Sequence, residues 1–423
     1  MKVFKFGGAA VKDANGFRNA CSITGLFPKE DLVIVVSAIG KTTNALEELT
    51  DAFFFKKGNA EQLLSKIKEA HIELMNQLFP DPSDPIYNEI SNTFVELDWA
   101  IEEEPSANYH FDYDQIVSMG EILSSKILSA FLNKEKILNT WLDARGLIQT
   151  DNNYQEGKVN WELTEKLVRT NLLPMLNKQG SILVTQGFIG GTSENLSTTL
   201  GREGSDYTAA IIAFAADAQE VVIWKDVPGV LNADPKWFDQ TKKIEQLSYQ
   251  DAIELSYYGA TVIHPKTIKP LQNKKIPLFV KSFIHPNDAG TVINDVQTHL
   301  PVPCFIFKVD QILISISPKD FSFIAEENLS SIFKLFADHG VKINVIQNSA
   351  ISFSVSADND DRKIPPLIEQ LKSDFRVLYN DHLELITIRY YDQPTIDRVC
   401  SGKTILLEQK SRYTVQLVVK NTP

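Results

Sequence analysis

The stretch Gly187 to Ala213, GFIGGTSENLSTTLGREGSDYTAAIIA, gathers the side chains best suited to hold an anion. Thr198, Thr199, Gly201, Arg202, Gly204, Ser205 and Asp206 offer hydroxyls, a guanidinium, a carboxylate and close backbone approach. An apolar run, Ser181 to Thr185, precedes them and an alanine-rich run from Tyr207 follows, so the expected order is strand, polar loop, helix. Free N–H groups and the positive end of the helix dipole stabilise negative charge at such a terminus. Ser205 and Asp206 are also good capping residues, and a well-capped helix after a glycine turn would use the same types.

Other strand ends carry related chemistry. Residues 2–6, KVFKF, alternate as a short strand and run into Gly7 and Gly8, where backbone could approach a phosphate and Lys5 could bring positive charge. The spacing is not that of a Walker loop, and the GKT at 402–404 has Asp397 where that loop needs its first glycine. LVIVV at 32–36 is a doubly buried strand by composition and ends in SAIGKTTNAL, placing Ser37, Thr42, Thr43 and Asn44 where open α/β sheets bind ligands. Ser118-Met119-Gly120-Glu121 leads a long amphipathic helix, and an acidic residue in its first turn is favoured by the dipole alone. EVVIWKDVPGVLNADPKWF, at 220–238, puts Lys225 and Asp226 at a strand end and Lys236 after an Asp-Pro turn, types suited to phosphates and ribose hydroxyls.

Strands and helices must alternate to position these loops, and over residues 1–295 they do. The expected fold is α/β, a mainly parallel sheet sandwiched by helices. Glu47 to Phe79 is helical in pattern, as is the run after the loop at 80–85. Pro301 to Pro303 mark a linker. Residues 305–381 then read βαββαβ, a ferredoxin-like α+β module, and 382–423 begin a second such module that breaks off before its last helix and strand. A net charge of -12 without a basic run argues against nucleic acid as partner, and no apolar run is long enough to span a membrane. Cys21, Cys304 and Cys400 match no metal or disulfide spacing, so no protein-built metal site is expected and a reducing cytoplasm fits.

Taken together, seven motifs resemble the aspartate kinases of the amino-acid kinase family with C-terminal ACT domains. They are KFGG at 5–8, KTTN at 41–44, S-x-GE at 118–121, GFIG at 187–190, TTLGREGSD at 198–206, KDVPGV with ADP at 225–235, and GATVIHPKT at 259–267. The resemblance implies transfer of the ATP γ-phosphoryl group to the β-carboxylate of L-aspartate with Mg²⁺, at the head of lysine, threonine and methionine synthesis. It implies that Lys5 and the N–H groups of Gly7 and Gly8 stabilise the phosphoryl group, that Arg202 clamps substrate carboxylate, and that Glu121 accepts from the α-ammonium. Ser37, Thr43, Phe188 and Ser205 would line the aspartate pocket, Asp206 would orient the cationic groups, and Lys225, Asp226, Leu231, Lys236 and Thr261 would hold the nucleotide.

Several positions depart from the family pattern. Ala9 and Ala10 replace two hydroxyl residues, Glu203 replaces a glycine, Thr261 stands where a nucleotide-contacting lysine is expected, and Lys225 stands where threonine is common. VKINVIQNSAISFSV resembles the effector-binding turn of a first ACT domain, which would use Asn344, Gln347 and Asn348 for lysine or threonine in a homodimer. Completion of the truncated second module by a pairing chain or by the first module is expected. Two alternatives are a kinase for another acidic amino acid, such as glutamate, and a catalytically weakened amino-acid sensor.

Overall fold

The computed structural model describes residues 1–176, 178–238, 241–260, 263–297, 302–320 and 322–421. Two compact units result: Met1–Val230 with Lys243–Ile253 and Val262–Thr298, and Leu231–Lys242 with Glu254–Thr261 and His299–Pro423.

In chain order the elements up to the last strand of the first unit are β1 (Lys2–Phe6), α1 (Ala14–Gly25), β2 (Leu32–Val36), α2 (Thr42–Phe54), α3 (Ala60–Leu78), α4 (Pro85–Glu102), α5 (Tyr109–Val117), α6 (Met119–Lys134), β3 (Thr140–Leu142), α7 (Trp161–Leu167), β4 (Ile182–Gln186), β5 (Ile189–Gly191), β6 (Ser197–Thr199), α8 (Gly204–Ala215), β7 (Glu220–Lys225), β8 (Gln246–Ser248), α9 (Tyr249–Tyr258), α10 (Pro265–Lys274), β9 (Leu278–Ser282) and β10 (Thr291–Asn294). The helical pattern from Glu47 to Phe79 is thus two helices, α2 and α3. Eight strands form one sheet in the order β3-β4-β2-β1-β7-β9-β10-β8, parallel except for the β9–β10 pair.

Strand periodicity decides which side chains face the chemistry. Phe4, Phe6 and Trp224 enter the core shared with Phe17 of α1 and Leu123 of α6. Val3 and Lys5 must therefore point to the opposite face, against which α8 packs. Lys5 pairs in register with Ile223, so Lys225 lies on that same face, at the end of β7. Because β1, β2, β4 and β7 are parallel, the segments that follow them all emerge at one edge.

The second unit has β11 (Cys304–Pro318), α11 (Glu326–Asp338), β12 (Ile343–Asn348), β13 (Phe353–Asp358), α12 (Ile364–Asp374), β14 (Phe375–Arg389), α13 (Gln393–Val399), β15 (Lys403–Lys410) and β16 (Thr414–Asn421). They form one six-stranded sheet, β12-β13-β11-β14-β16-β15. The break expected between 381 and 382 falls inside β14, which is continuous. Residues 305–308, expected as the start of the first module, pair with 385–388, so the same long strands serve both modules. Register shifts between Lys308 and Leu313 mark the change. Among the described residues no helix is long and apolar enough to cross a membrane.

Candidate functional site

A cleft of about 680 Å³ opens at the carboxyl edge of the first unit's sheet. It brings together ten of the expected residues: Lys5, Gly8, Ser37, Thr43, Glu121, Phe188, Arg202, Ser205, Asp206 and Lys225. Gly7 and Asp226 do not line it. Leu231 and Lys236 belong to the second unit, and Thr261 lies outside the described residues.

At its centre the Asp206 carboxylate, 3% exposed, meets Lys5 Nζ at 2.6 Å through Oδ1 and Lys225 Nζ at 3.6 Å through Oδ2. Burial pushes such a carboxyl up, but the two ammonium groups prevail and hold it below its ordinary value. Asp206 occupies the first turn of α8 and does not cap it. The cap position is Glu203, in left-handed conformation at φ 56° and without a side-chain capping bond, so the expected capping by Ser205 or Asp206 is not how this helix begins. Close packing fixes that terminus: a Cβ on Gly204 would lie 2.5 Å from the Phe188 ring, and one on Gly187 would lie 2.5 Å from Ser205 Cβ.

Glu121, in the first turn of α6, also lines the cleft. Its Oε1 accepts from the Ala38 N–H at 3.2 Å, while Oε2 is buried without a hydrogen-bond partner. Burial raises its carboxyl to about 8, against the lowering influence of the Ala38 N–H and Lys5. The neighbouring Ser124 hydroxyl donates to the Ser37 carbonyl at 2.7 Å, so α6 fixes the loop after β2 from two points.

Four contributors escape the sequence motifs. Tyr113 donates to Glu47 Oε1 at 2.6 Å, and both line the cleft, as does Gln155. Asp114, fully buried, accepts from the Gln155 N–H at 3.0 Å, the Thr199 N–H at 2.9 Å and the Thr199 hydroxyl at 2.7 Å. It ties two segments of cleft wall to α5, and burial raises its carboxyl to about 6. Thr199 lies on β6, which pairs with β5 as a two-stranded hairpin inside what the sequence presents as a loop.

In the second unit the expected effector residues lie on edge strand β12. Gln347 and Asn348 are exposed. The Asn344 amide is engaged: it donates to Gln311 Oε1 at 2.8 Å and Asp358 Oδ1 at 2.9 Å and accepts from Lys308 Nζ at 2.8 Å.

The model of the amino acid kinase family matches residues 1–282. Lysine-sensitive aspartokinase 3 of Escherichia coli (strain K12) is 29% identical over 362 residues, which is 84% of this chain and 78% of that protein. Chloroplastic aspartokinase 1 of Arabidopsis thaliana is 31% identical over 380 residues, 87% of this chain; the chain spans 65% of that protein's length. Among solved structures, E. coli aspartokinase III in complex with aspartate and ADP (R-state) superposes with a TM-score of 0.81 at 26% identity, covering 99% of this chain and 96% of that one. The complex of the same enzyme with lysine and aspartate (T-state) gives 0.82 at 25% identity, covering 99% and 95%.

Proposed function

The chain belongs to the amino acid kinase family, and from that premise we infer that it phosphorylates the β-carboxylate of L-aspartate with ATP, giving 4-phospho-L-aspartate. One observation carries the reading. The cleft pairs a buried carboxylate oxygen that lacks a partner, on Glu121, with a cationic group of Lys5 and Lys225 held by Asp206. An amino acid offers an ammonium to the first and an anion to the second.

The acceptor is already ionised at neutral pH, with a reference pKa of about 3.9, so the reaction needs no general base. No histidine is among the described residues that line the cleft. Rate enhancement then comes from in-line positioning and from cations over the phosphoryl oxygens. Lys5 supplies the charge, with its ammonium fixed by Asp206. Gly7 and Gly8 offer backbone N–H groups; a Cβ on Gly8 would meet the Ala38 carbonyl at 2.8 Å, so only glycine keeps that loop closed against the next. Arg202 takes substrate carboxylate with a planar fork that lysine lacks. Glu121 takes the α-ammonium, and Ser37, Thr43, Phe188 and Ser205 shape the pocket. Asp226, directly after β7, serves the nucleotide.

Mg²⁺ bound with the nucleotide would neutralise phosphate charge. The cleft fits an ion of that kind: Glu203 lines it with a buried carboxylate oxygen that has no hydrogen-bond partner among the described residues, and Mg²⁺ typically takes one or two carboxylates besides phosphate oxygens and water. Lys225 supplies the charge that Thr261 does not. Lys225→Thr therefore weakens ADP binding far more than Thr261→Lys changes it; equal, negligible effects would overturn this assignment.

Feedback inhibition by lysine or threonine and a homodimer formed through the second unit complete the reading. Exposed Gln347 and Asn348 on an unpaired strand edge support both. The test is ADP release with MgATP and L-aspartate, L-glutamate or no acceptor, each with and without lysine and threonine. Aspartate-dependent release suppressed by one effector is expected. Release with glutamate alone would reassign the substrate, and nucleotide binding without turnover would favour a sensor weakened by Ala9 and Ala10.

A further inference from the structure

Glu203 combines two costs that a structural role does not explain. It holds a left-handed backbone conformation, φ 56°, which burdens any residue with a Cβ by about 1–2 kcal/mol relative to its usual region. It gives no capping bond in return. Its side chain lines the cleft, and its Oε2 is buried without a hydrogen-bond partner among the described residues. A buried carboxylate oxygen without a partner is unfavourable unless a cation or donor arrives with a ligand.

Among the described residues no lysine or arginine forms an ion pair with Glu203, and Lys5 and Lys225 are drawn to Asp206. Besides Asp206 and Glu121, the acidic side chains Glu47 and Glu156 of the cleft add to the negative charge that an anionic substrate and a polyphosphate must overcome. Glu121 already answers the substrate ammonium. The remaining cation that the reaction brings is the divalent ion of the nucleotide, and Glu203 immediately precedes the α8 terminus whose N–H groups and dipole favour phosphate. We propose that Glu203 is a protein ligand for the divalent cation that enters with the nucleotide, a role that the glycine common at this position in the family cannot fill.

The inference rests on the nucleotide-binding reading of the cleft, and the experiment separates the two. Mn²⁺ is titrated into the full chain with and without saturating ADP, free Mn²⁺ being followed by its electron paramagnetic resonance signal, for wild type, Glu203→Gln and Glu203→Gly. Calorimetry of wild type with ADP alone checks the nucleotide site. The expected result is Mn²⁺ affinity in the ADP complex lowered roughly tenfold or more in both variants. Glu203→Gly should also melt at or above the wild-type temperature, because it relieves the left-handed strain, so loss of affinity cannot be ascribed to misfolding. Unchanged Mn²⁺ affinity with intact ADP binding would overturn the inference alone. Unchanged Mn²⁺ affinity with altered aspartate affinity would reassign Glu203 to the substrate. Absence of ADP binding in wild type would overturn the nucleotide reading and this inference with it.

Discussion

Asp206 in the first unit and Asp358 in the second both have carboxyls held below their ordinary value against the opposing effect of burial, but by opposite means. Asp358 accepts from neutral amides, Gln311 Nε2 at 2.8 Å and Asn344 Nδ2 at 2.9 Å, and those amides are bonded in turn to each other and to Lys308. The network closes on itself. Asp206 is met by two ammonium groups, and the cleft around it holds two carboxylate oxygens, Glu121 Oε2 and Glu203 Oε2, with no partner. A closed network stabilises a fold; an open one in a cleft asks for a ligand. By the same measure Asn344 is the least available of the three residues expected to bind an effector.

Breaking the open network should cost activity, and breaking a closed one should cost stability. Asp206→Ala has the largest expected effect: the turnover rate should fall by about 10²–10³-fold, since Lys5 loses the anion that fixes it. A fall of less than tenfold in steady-state kinetics would mean that this cationic group does not handle the phosphoryl transfer. Asp114→Ala tests a closed network within the first unit. It leaves two N–H groups and a hydroxyl without their acceptor, for a loss of about 3 kcal/mol in denaturant unfolding. Asp114→Asn should lose less than about 1 kcal/mol, because its carbonyl can accept both N–H groups and the Thr199 hydroxyl can turn to accept from the amide.

Glu121 sharpens the comparison through pH. With its carboxyl raised to about 8, the group is mostly protonated in the empty cleft at neutral pH and must ionise to hold an ammonium. Aspartate affinity should therefore rise with pH up to about 8 and then level, with proton release on binding visible by calorimetry in buffers of different ionisation heat. Glu121→Gln should weaken aspartate binding by about tenfold and abolish that proton release. A pH-independent wild type would show that the substrate ammonium is held elsewhere. The smallest effect is expected at Asp358→Ala, a loss of about 1 kcal/mol in unfolding with the rate in the absence of effector unchanged.

The legible part of the site is the part that follows strands. Lys5, Ser37, Phe188 and Lys225 come directly from the alternation of buried runs with glycine or hydroxyl residues, because a parallel sheet delivers every such loop to one edge. Asp114, Tyr113 and Glu47 lie on helices, where a polar residue of the inward face cannot be told from one on a solvated face until the partner is in place. Thr199, which Asp114 holds, is 85 residues away in sequence. In the second unit the boundary expected between 381 and 382 adjoins His382, which pairs across the sheet with Asp310. Asp310 and His382 occupy left-handed positions, φ 50° and 51°, inside β11 and β14, so each strand bends and continues.

The sequence by itself determined the parallel sheet, the identity of the cationic and acidic side chains at its edge, and the change of architecture after residue 300. Those depend on periodicity and on residue type, which are local. Tertiary structure alone decided that Lys5 and Lys225 share one carboxylate, that Glu121 and Glu203 are left with an unsatisfied oxygen, and that one sheet serves both C-terminal modules. Each of those facts is a matter of which distant group supplies or withholds a hydrogen bond once water is excluded, and only the packed chain sets that.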